Sequence, residues 1–176
     1  PARTGTSAGW FVGSVGGVEE TGGIENTSGP LGQGHALGAG AAVAEKFLEA
    51  RLGKTMMQHT IYTYISDGGI EEGISQEVGR LAGALGLNNL IMFYDCNGIQ
   101  LSTETSIVMA EDTAMKYRSW NWNVIEIDGN DVDQIRKALN AGLAEKNRPT
   151  LIIGDTVMGK GCLTADGTSY EHNVKT

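Results

Sequence analysis

Two polar side chains stand directly after β-like runs and could share one piece of chemistry. Asp67 follows the β-branched and aromatic stretch Thr60-Ile61-Tyr62-Thr63-Tyr64-Ile65 and precedes Gly68-Gly69. Asn97 follows the apolar run Leu90-Ile91-Met92-Phe93-Tyr94 by way of Asp95 and Cys96. Between them, roughly residues 71–86 carry Ile74, Val78, Leu81, Ala82 and Leu85 at helical spacing, so the three pieces read as a βαβ unit. Such a crossover brings both strand ends to the same edge of the sheet. A carboxylate, an amide oxygen and nearby backbone carbonyls suit a hard cation such as Mg²⁺. Gly68 and Gly69 free backbone amides at a helix start, where a phosphate group is favoured. The local pattern therefore proposes a metal-bridged diphosphate. An N-capping Asp67 with a turn-forming Asn97 accounts for the same residues, and both readings stand at this point.

Other patterns carry less. Gly5-Thr6-Ser7-Ala8-Gly9 has the spacing of a nucleophile elbow but lacks the buried strand that must precede one. The segment from Gly154 to Gly161 follows a strand like a phosphate loop, yet Gly161 stands where a metal-binding hydroxyl is needed. Gly32-Gln33-Gly34 begins a dinucleotide fingerprint with no strand feeding it, and Asn26-Thr27-Ser28 is a formal glycosylation sequon without a secretory signal. His35, His59 and His172 lie too far apart for zinc-ligand spacing, so structural or surface roles are the default. Cys96 at a strand end reads as a small buried filler.

The elements that must position these residues alternate. Gly29-Pro30-Leu31-Gly32-Gln33-Gly34 leads into a helix with Leu37, Ala41, Ala44, Leu48 and Leu52 at helical spacing, small residues along one side, and a stop at Gly53. After the βαβ unit come a short helix near 112–119, a third strand at Val124–Ile127, and a helix capped by Asp131 with Val132, Ile135, Leu139 and Leu143. A fourth strand follows at Leu151–Ile153, with a loop-like tail from Gly154. This alternation predicts an α/β fold, a three-layer parallel sheet with helices on both faces, over residues 29–176. Residues 1–28 read as a glycine-rich arm, and function belongs at the carboxyl ends of the strands near a switch in strand order.

Composition bounds the rest. With 26 glycines and 3 prolines among 176 residues, 40% hydrophobic and 19% charged, the chain is neither disordered polymer nor collagen. A net charge of −8 argues against nucleic acid or an anionic membrane as partner. No apolar run approaches a membrane span and no signal peptide opens the chain, so a cytoplasmic, reducing setting is expected, with two cysteines too few for a disulfide framework.

The stretch SDGGIEEGISQEVGRLAGALGLNNLIMFYDCNGIQLS resembles the thiamine diphosphate motif of transketolases. NTSGPLGQGHALGAGAAVAEKF before it, EDTAMKYRSWNWNVIEIDGND after it and NRPTLIIGDTVMGKG beyond occur in the same order, so the resemblance covers about residues 22–176. The family's motif runs from Gly-Asp-Gly to Asn-Asn; here Ser66 and Cys96 replace its first glycine and first asparagine. The resemblance implies that Asp67, Asn97 and the backbone oxygen of Ile99 hold Mg²⁺ or Ca²⁺. It further implies that Gly68 touches the diphosphate of thiamine diphosphate and that Gly29, Pro30 and Leu31 line its rings. Glu72 matches a glutamate near the family's subunit interface. The implied activity is transfer of a two-carbon ketol unit between sugar phosphates. The expected form is a diphosphate-binding domain shortened at both ends, inactive until joined by a pyrimidine-binding domain or subunit in a homo- or hetero-oligomer. The family's histidine-bearing loop before GPLGQG is replaced here by GSVGGVEETGG, and a family His-Gly pair near the segment SYEHNVK is absent, so His172 takes no role from it. Alternatives are a non-catalytic binding module derived from this family, or a related thiamine enzyme such as a dihydroxyacetone synthase or a deoxyxylulose-phosphate synthase.

Overall fold

The structure is a computed structural model that describes residues 10–13, 26–100 and 103–163. Six strands form one parallel sheet in the order β2-β1-β3-β4-β8-β7. They are β1 (Trp10–Gly13), β2 (Asn26–Thr27), β3 (Ile61–Ser66), β4 (Leu90–Cys96), β7 (Asn123–Asp128) and β8 (Thr150–Asp155). A two-stranded hairpin, β5 (Ile99–Gln100) with β6 (Thr103–Glu104), sits beyond β4. The helices are α1 (Gln33–Leu52), α2 (Asp67–Glu71), α3 (Gly73–Leu85), α4 (Thr113–Ser119) and α5 (Val132–Ala144).

The parallel α/β architecture matches the sequence expectation, with differences of detail. The sequence predicts four strands; β1 and β2 add two more from residues read as an arm, β1 pairing with β3's outer side and β2 with β1. Both are too short and too glycine-flanked to stand out by periodicity. The expected helix over 71–86 is divided: α2 ends at Glu71 and α3 begins at Gly73, with the extended Glu72 between them. The tail from Gly154 begins one residue inside a strand that continues to Asp155. The Gly5–Gly9 spacing and His172 lie outside the described residues.

β4 lies at the centre, in register with β3 from Ile61↔Leu90 to Ser66↔Asp95 and with β8 from Ile91↔Thr150 to Cys96↔Asp155. Its side chains alternate as a strand requires. Leu90, Met92 and Tyr94 join Ile61, Ile65, Leu151 and Trp122 in the larger core, under α1, α3 and α4. Ile91 and Phe93 face α5 with Ile152, Ile125 and Leu139. Trp122 is 1% exposed and its indole N–H donates to the Gly79 carbonyl at 2.7 Å, so a large apolar body is buried without an orphaned donor.

The helices pack by their small residues, as the small-residue side of α1 predicts, whereas the leucine positions read as buried faces are exposed. On α1 the buried positions are Gly34, His35, Gly38, Ala39, Ala42 and Glu45, whereas Leu37, Leu48 and Leu52 are exposed. On α3 they are Ser75, Gly79, Ala82 and Gly83, whereas Ile74, Leu81 and Leu85 are exposed. The reason is distance of approach. A Cβ on Gly38 would lie 2.0 Å from Thr63 Cγ2, and one on Gly83 would lie 1.7 Å from the Trp120 carbonyl oxygen. The sheet and α4 supply the bulk, and the helix backbones close down on it. On α5, Val132 and Leu143 are likewise exposed, while Ala138 and Gly142 are buried. Asp131 caps α5 as expected, accepting from the N–H groups of Asp133 and Gln134. Gly53 ends α1, its N–H donating to the Glu49 carbonyl.

Candidate functional site

The chain runs from β1 outward to β2, then back across β1 to β3 and on to β4. The direction of winding therefore reverses between β1 and β3, and β3 ends there at Ser66-Asp67. Carboxyl ends beside such a reversal open a crevice for ligands.

Asp67 is the first residue of α2, yet its side chain does not cap that helix. It is fully buried and turns toward β4. Tyr94 donates its hydroxyl to Asp67 Oδ1 at 2.5 Å. The backbone N–H groups of Asn97 and Gly98 donate to Oδ2 at 3.0 and 3.2 Å. The N-capping reading of Asp67 is thus replaced by a carboxylate that holds the loop after β4. Asn97 does make a turn: its Oδ1 accepts from the Ile99 N–H at 3.1 Å, which fixes the amide orientation and leaves a second lone pair on that oxygen. Asp67, Asn97 and Ile99 are thereby linked in one chain of hydrogen bonds.

The site is rich in negative charge. Burial pushes the Asp67 carboxyl above its usual range, Asp95 adds to that, and the three hydrogen bonds oppose it. Glu71 is pushed up as well, by burial first and then by Asp67, Glu111 and Glu72, with Lys116 working the other way. Glu71 Oε1 is buried with no hydrogen-bond partner among the described residues. Cys96 is half-buried rather than a buried filler, and its thiol is raised by burial and by Asp67, Asp155 and Asp95. Among the described residues no Lys, Arg or His forms an ion pair with Asp67, and no three His, Cys, Asp or Glu side chains gather as a metal cluster.

Of the remaining expected positions, Leu31 meets Gly68 and Glu72 lies beside Gly32. Ser28 Oγ donates to the Pro30 carbonyl at 2.9 Å and accepts from the Gly34 N–H at 3.1 Å, folding Gly29-Pro30-Leu31 over the start of α1. A Cβ on Gly68 would lie 3.2 Å from Leu31 Cδ1, so the two loops touch there. Gly32, at φ 80°, packs on Ile74, Glu72 and Ser75 so closely that a Cβ would lie 2.6 Å from Ile74 Cγ2. That left-handed geometry and close approach require glycine. Glu72 is exposed at the α2–α3 junction, near Gly32 and away from the Asp67–Tyr94 contact. Ser75 Oγ donates to the Gly69 carbonyl and Gln76 Nε2 to the Ile70 carbonyl, both at 2.6 Å, which locks α2 against α3.

Nothing local in the sequence singles out Tyr94, Tyr64, Asp95 or Thr156, which the structure joins to this part of the sheet. Tyr64 donates to Asp95 Oδ2 at 2.6 Å, and the Thr156 hydroxyl donates to Asp95 Oδ1. What they share is their place as polar or hydroxyl-bearing residues at the ends of inner strands. Of the histidines, His35 is buried against Trp122, and His59 Nδ1 lies 3.0 Å from Glu45 Oε1. The turn over 158–161 places Gly159 and Gly161 at positive φ, with no helix following among the described residues.

Residues 14–175 match the family described as "Transketolase, thiamine diphosphate binding domain". Transketolase 2 of Escherichia coli is 42% identical over 139 residues, covering 77% of this chain and 21% of that protein. The transketolase of Buchnera aphidicola from Acyrthosiphon pisum is 41% identical over the same length, with the same coverage. Among solved structures, transketolase from Leishmania mexicana superposes with a TM-score of 0.73 at 39% identity, over 79% of this chain and 22% of that one. The Campylobacter jejuni transketolase gives a TM-score of 0.75 at 37% identity. The chain thus spans about a fifth of the length of these relatives.

Proposed function

Because the chain belongs to the transketolase family, we propose that it holds the metal–diphosphate end of thiamine diphosphate in an enzyme that transfers two-carbon ketol units. The observation that carries this is the hydrogen-bonded link from the buried Asp67 carboxylate to Asn97 and on to Ile99 at the winding reversal. It supplies hard oxygen donors where, among the described residues, no Lys, Arg or His pairs with Asp67 and only Lys116 acts on neighbouring Glu71. Buried charge of this kind is costly unless paired, and a Mg²⁺ or Ca²⁺ ion would pair it. The orphaned Glu71 Oε1 adds to that demand.

In this reading Asp67 Oδ, Asn97 Oδ1 and the Ile99 carbonyl hold the cation, and Gly68 leaves room for the diphosphate beside it. Gly29, Pro30 and Leu31 line the cofactor rings, with Leu31 already seated against Gly68. Tyr94 keeps the Asp67 carboxylate oriented and favours its ionised form. Bound thiamine diphosphate supplies the carbanion stabilisation that ketol transfer needs. The exposed Glu72 faces outward to a pyrimidine-binding domain or subunit, which completes the site in an oligomer acting on sugar phosphates. The two free cysteines agree with a cytoplasmic setting, and no helix among the described residues is long and apolar enough to cross a membrane.

The test is ketol transfer from a ketose phosphate to an aldose phosphate, with Mg²⁺ and thiamine diphosphate. The chain alone should be inactive, and the chain supplied with the pyrimidine-binding part of a transketolase should turn over and lose that activity in Asp67→Ala. Turnover by the chain alone, or turnover indifferent to Asp67→Ala, would overturn the reading.

A further inference from the structure

Successive residues of a strand point to opposite faces, and the end of β4 uses this twice. Tyr94, on the face beneath α1 and α3, grips Asp67. Asp95, on the α5 face, is gripped in turn by two hydroxyls, Tyr64 from β3 and Thr156 just beyond β8. One carboxylate therefore fastens the carboxyl ends of three adjacent strands. The Tyr64 ring is held for this by stacking on Phe93, with centroids 5.6 Å apart and planes 5° apart. The fastening continues through the backbone: the Thr156 N–H donates to the Cys96 carbonyl at 3.0 Å, and the Val157 N–H to Asn130 Oδ1 at 3.0 Å. Residues 95–98 are thus pinned from the β8 side by Asp95 and Cys96, and from the β3 side by Asp67. Asn97 lies between the two pins.

We propose that Asp95 is a positioning residue for the cation site: through Tyr64 and Thr156 it sets where Asn97 presents its amide oxygen to an ion held by Asp67. This rests on the reading of Asp67 and Asn97 as cation donors. Partners one step removed from the donors orient them, and losing such a partner typically weakens metal binding about 10- to 100-fold. A mere strand fastener would behave differently, costing stability while leaving the affinity of the folded protein alone.

The experiment titrates the chain with Tb³⁺, an oxygen-seeking surrogate for Ca²⁺, and reads luminescence sensitised by the Tyr94 phenol beside Asp67. Circular dichroism confirms the fold of each variant at the assay temperature. Wild type should bind and Asp67→Asn should not. Asp95→Asn, which keeps the shape but loses one acceptor, should weaken binding about tenfold, as should Thr156→Val, which removes one donor. If Asp95→Asn does not fold, Thr156→Val and Tyr64→Phe carry the same comparison, since each deletes a single hydroxyl contact. Folded variants that bind as wild type would overturn the role of Asp95 while leaving the cation site standing. A wild type that does not bind, or that binds as well in Asp67→Asn, would instead remove the cation site itself and the inference with it.

Discussion

The Tyr94 hydroxyl donates to Asp67 Oδ1 at 2.5 Å, joining the buried face of β4 to the first residue beyond β3. Both side chains are withdrawn from water, at 1% and 0% exposure. A short bond to a buried carboxylate is among the stronger kinds, and removing its donor strands the acceptor. Tyr94→Phe keeps the ring and deletes only the hydroxyl. Urea denaturation at neutral pH should show a loss of about 1–3 kcal/mol. A change within about 0.5 kcal/mol would place this contact with ordinary surface interactions.

Two glycines should respond in opposite senses to the same substitution. Gly83→Ala drives a methyl into the Trp120 carbonyl oxygen 1.7 Å away, where backbone cannot yield. Overpacking of that kind costs about 1–3 kcal/mol or more. Gly40 lies in α1 with nothing within 4 Å of an added Cβ, so Gly40→Ala should stabilise by about 0.5–1 kcal/mol through helix propensity alone. Thermal melts of the two variants against wild type decide both. Equal shifts would contradict the small-residue packing of the helices.

His35 should make the fold acid-sensitive. It is 1% exposed, neither ring nitrogen has a hydrogen-bond partner among the described residues, and burial lowers its pKa from 6.5 to about 4. The unfolded chain therefore binds the proton first. Stability is unaffected by this residue above pH 6.5, falls as pH drops below 6.5, and reaches its full loss near pH 4. The loss is on the order of 3 kcal/mol. His35→Leu removes both the titration and the orphaned nitrogens, so its stability should fall less than wild type's across that window. Parallel pH profiles for the two proteins would show that His35 is not the group responsible.

The readable parts of this chain were those with local signals. β-branched, aromatic and aliphatic runs marked β3, β4, β7 and β8, and the residues after β3 and β4 marked the candidate site, because a βαβ unit must return to the same edge. The small residues along α1 were legible as a packing side, but the leucine positions misled, since leucine spacing is the usual sign of a buried stripe, while here Gly38, Ala42, Gly79 and Gly83 do the packing. What fills the space, Thr63 or Trp120, is distant in sequence. The same holds for the site's fastenings. Tyr94 meets Asp67 across 27 residues and Thr156 meets Asp95 across 61, partnerships that exist only once strand order is known. Whether Asp67 caps its own helix likewise needed the side chain's direction, which turns away from that helix toward Tyr94.

In the proposed function, Asp67 and Asn97 bind a cation that in turn binds a diphosphate. Calorimetric titration of the chain with thiamine diphosphate, in Mg²⁺ and then in excess chelator, tests it most directly. Binding should require Mg²⁺, should prefer thiamine diphosphate to thiamine, and should be lost in Asp67→Ala. Binding that persists in chelator, or that is unchanged in Asp67→Ala, would contradict it.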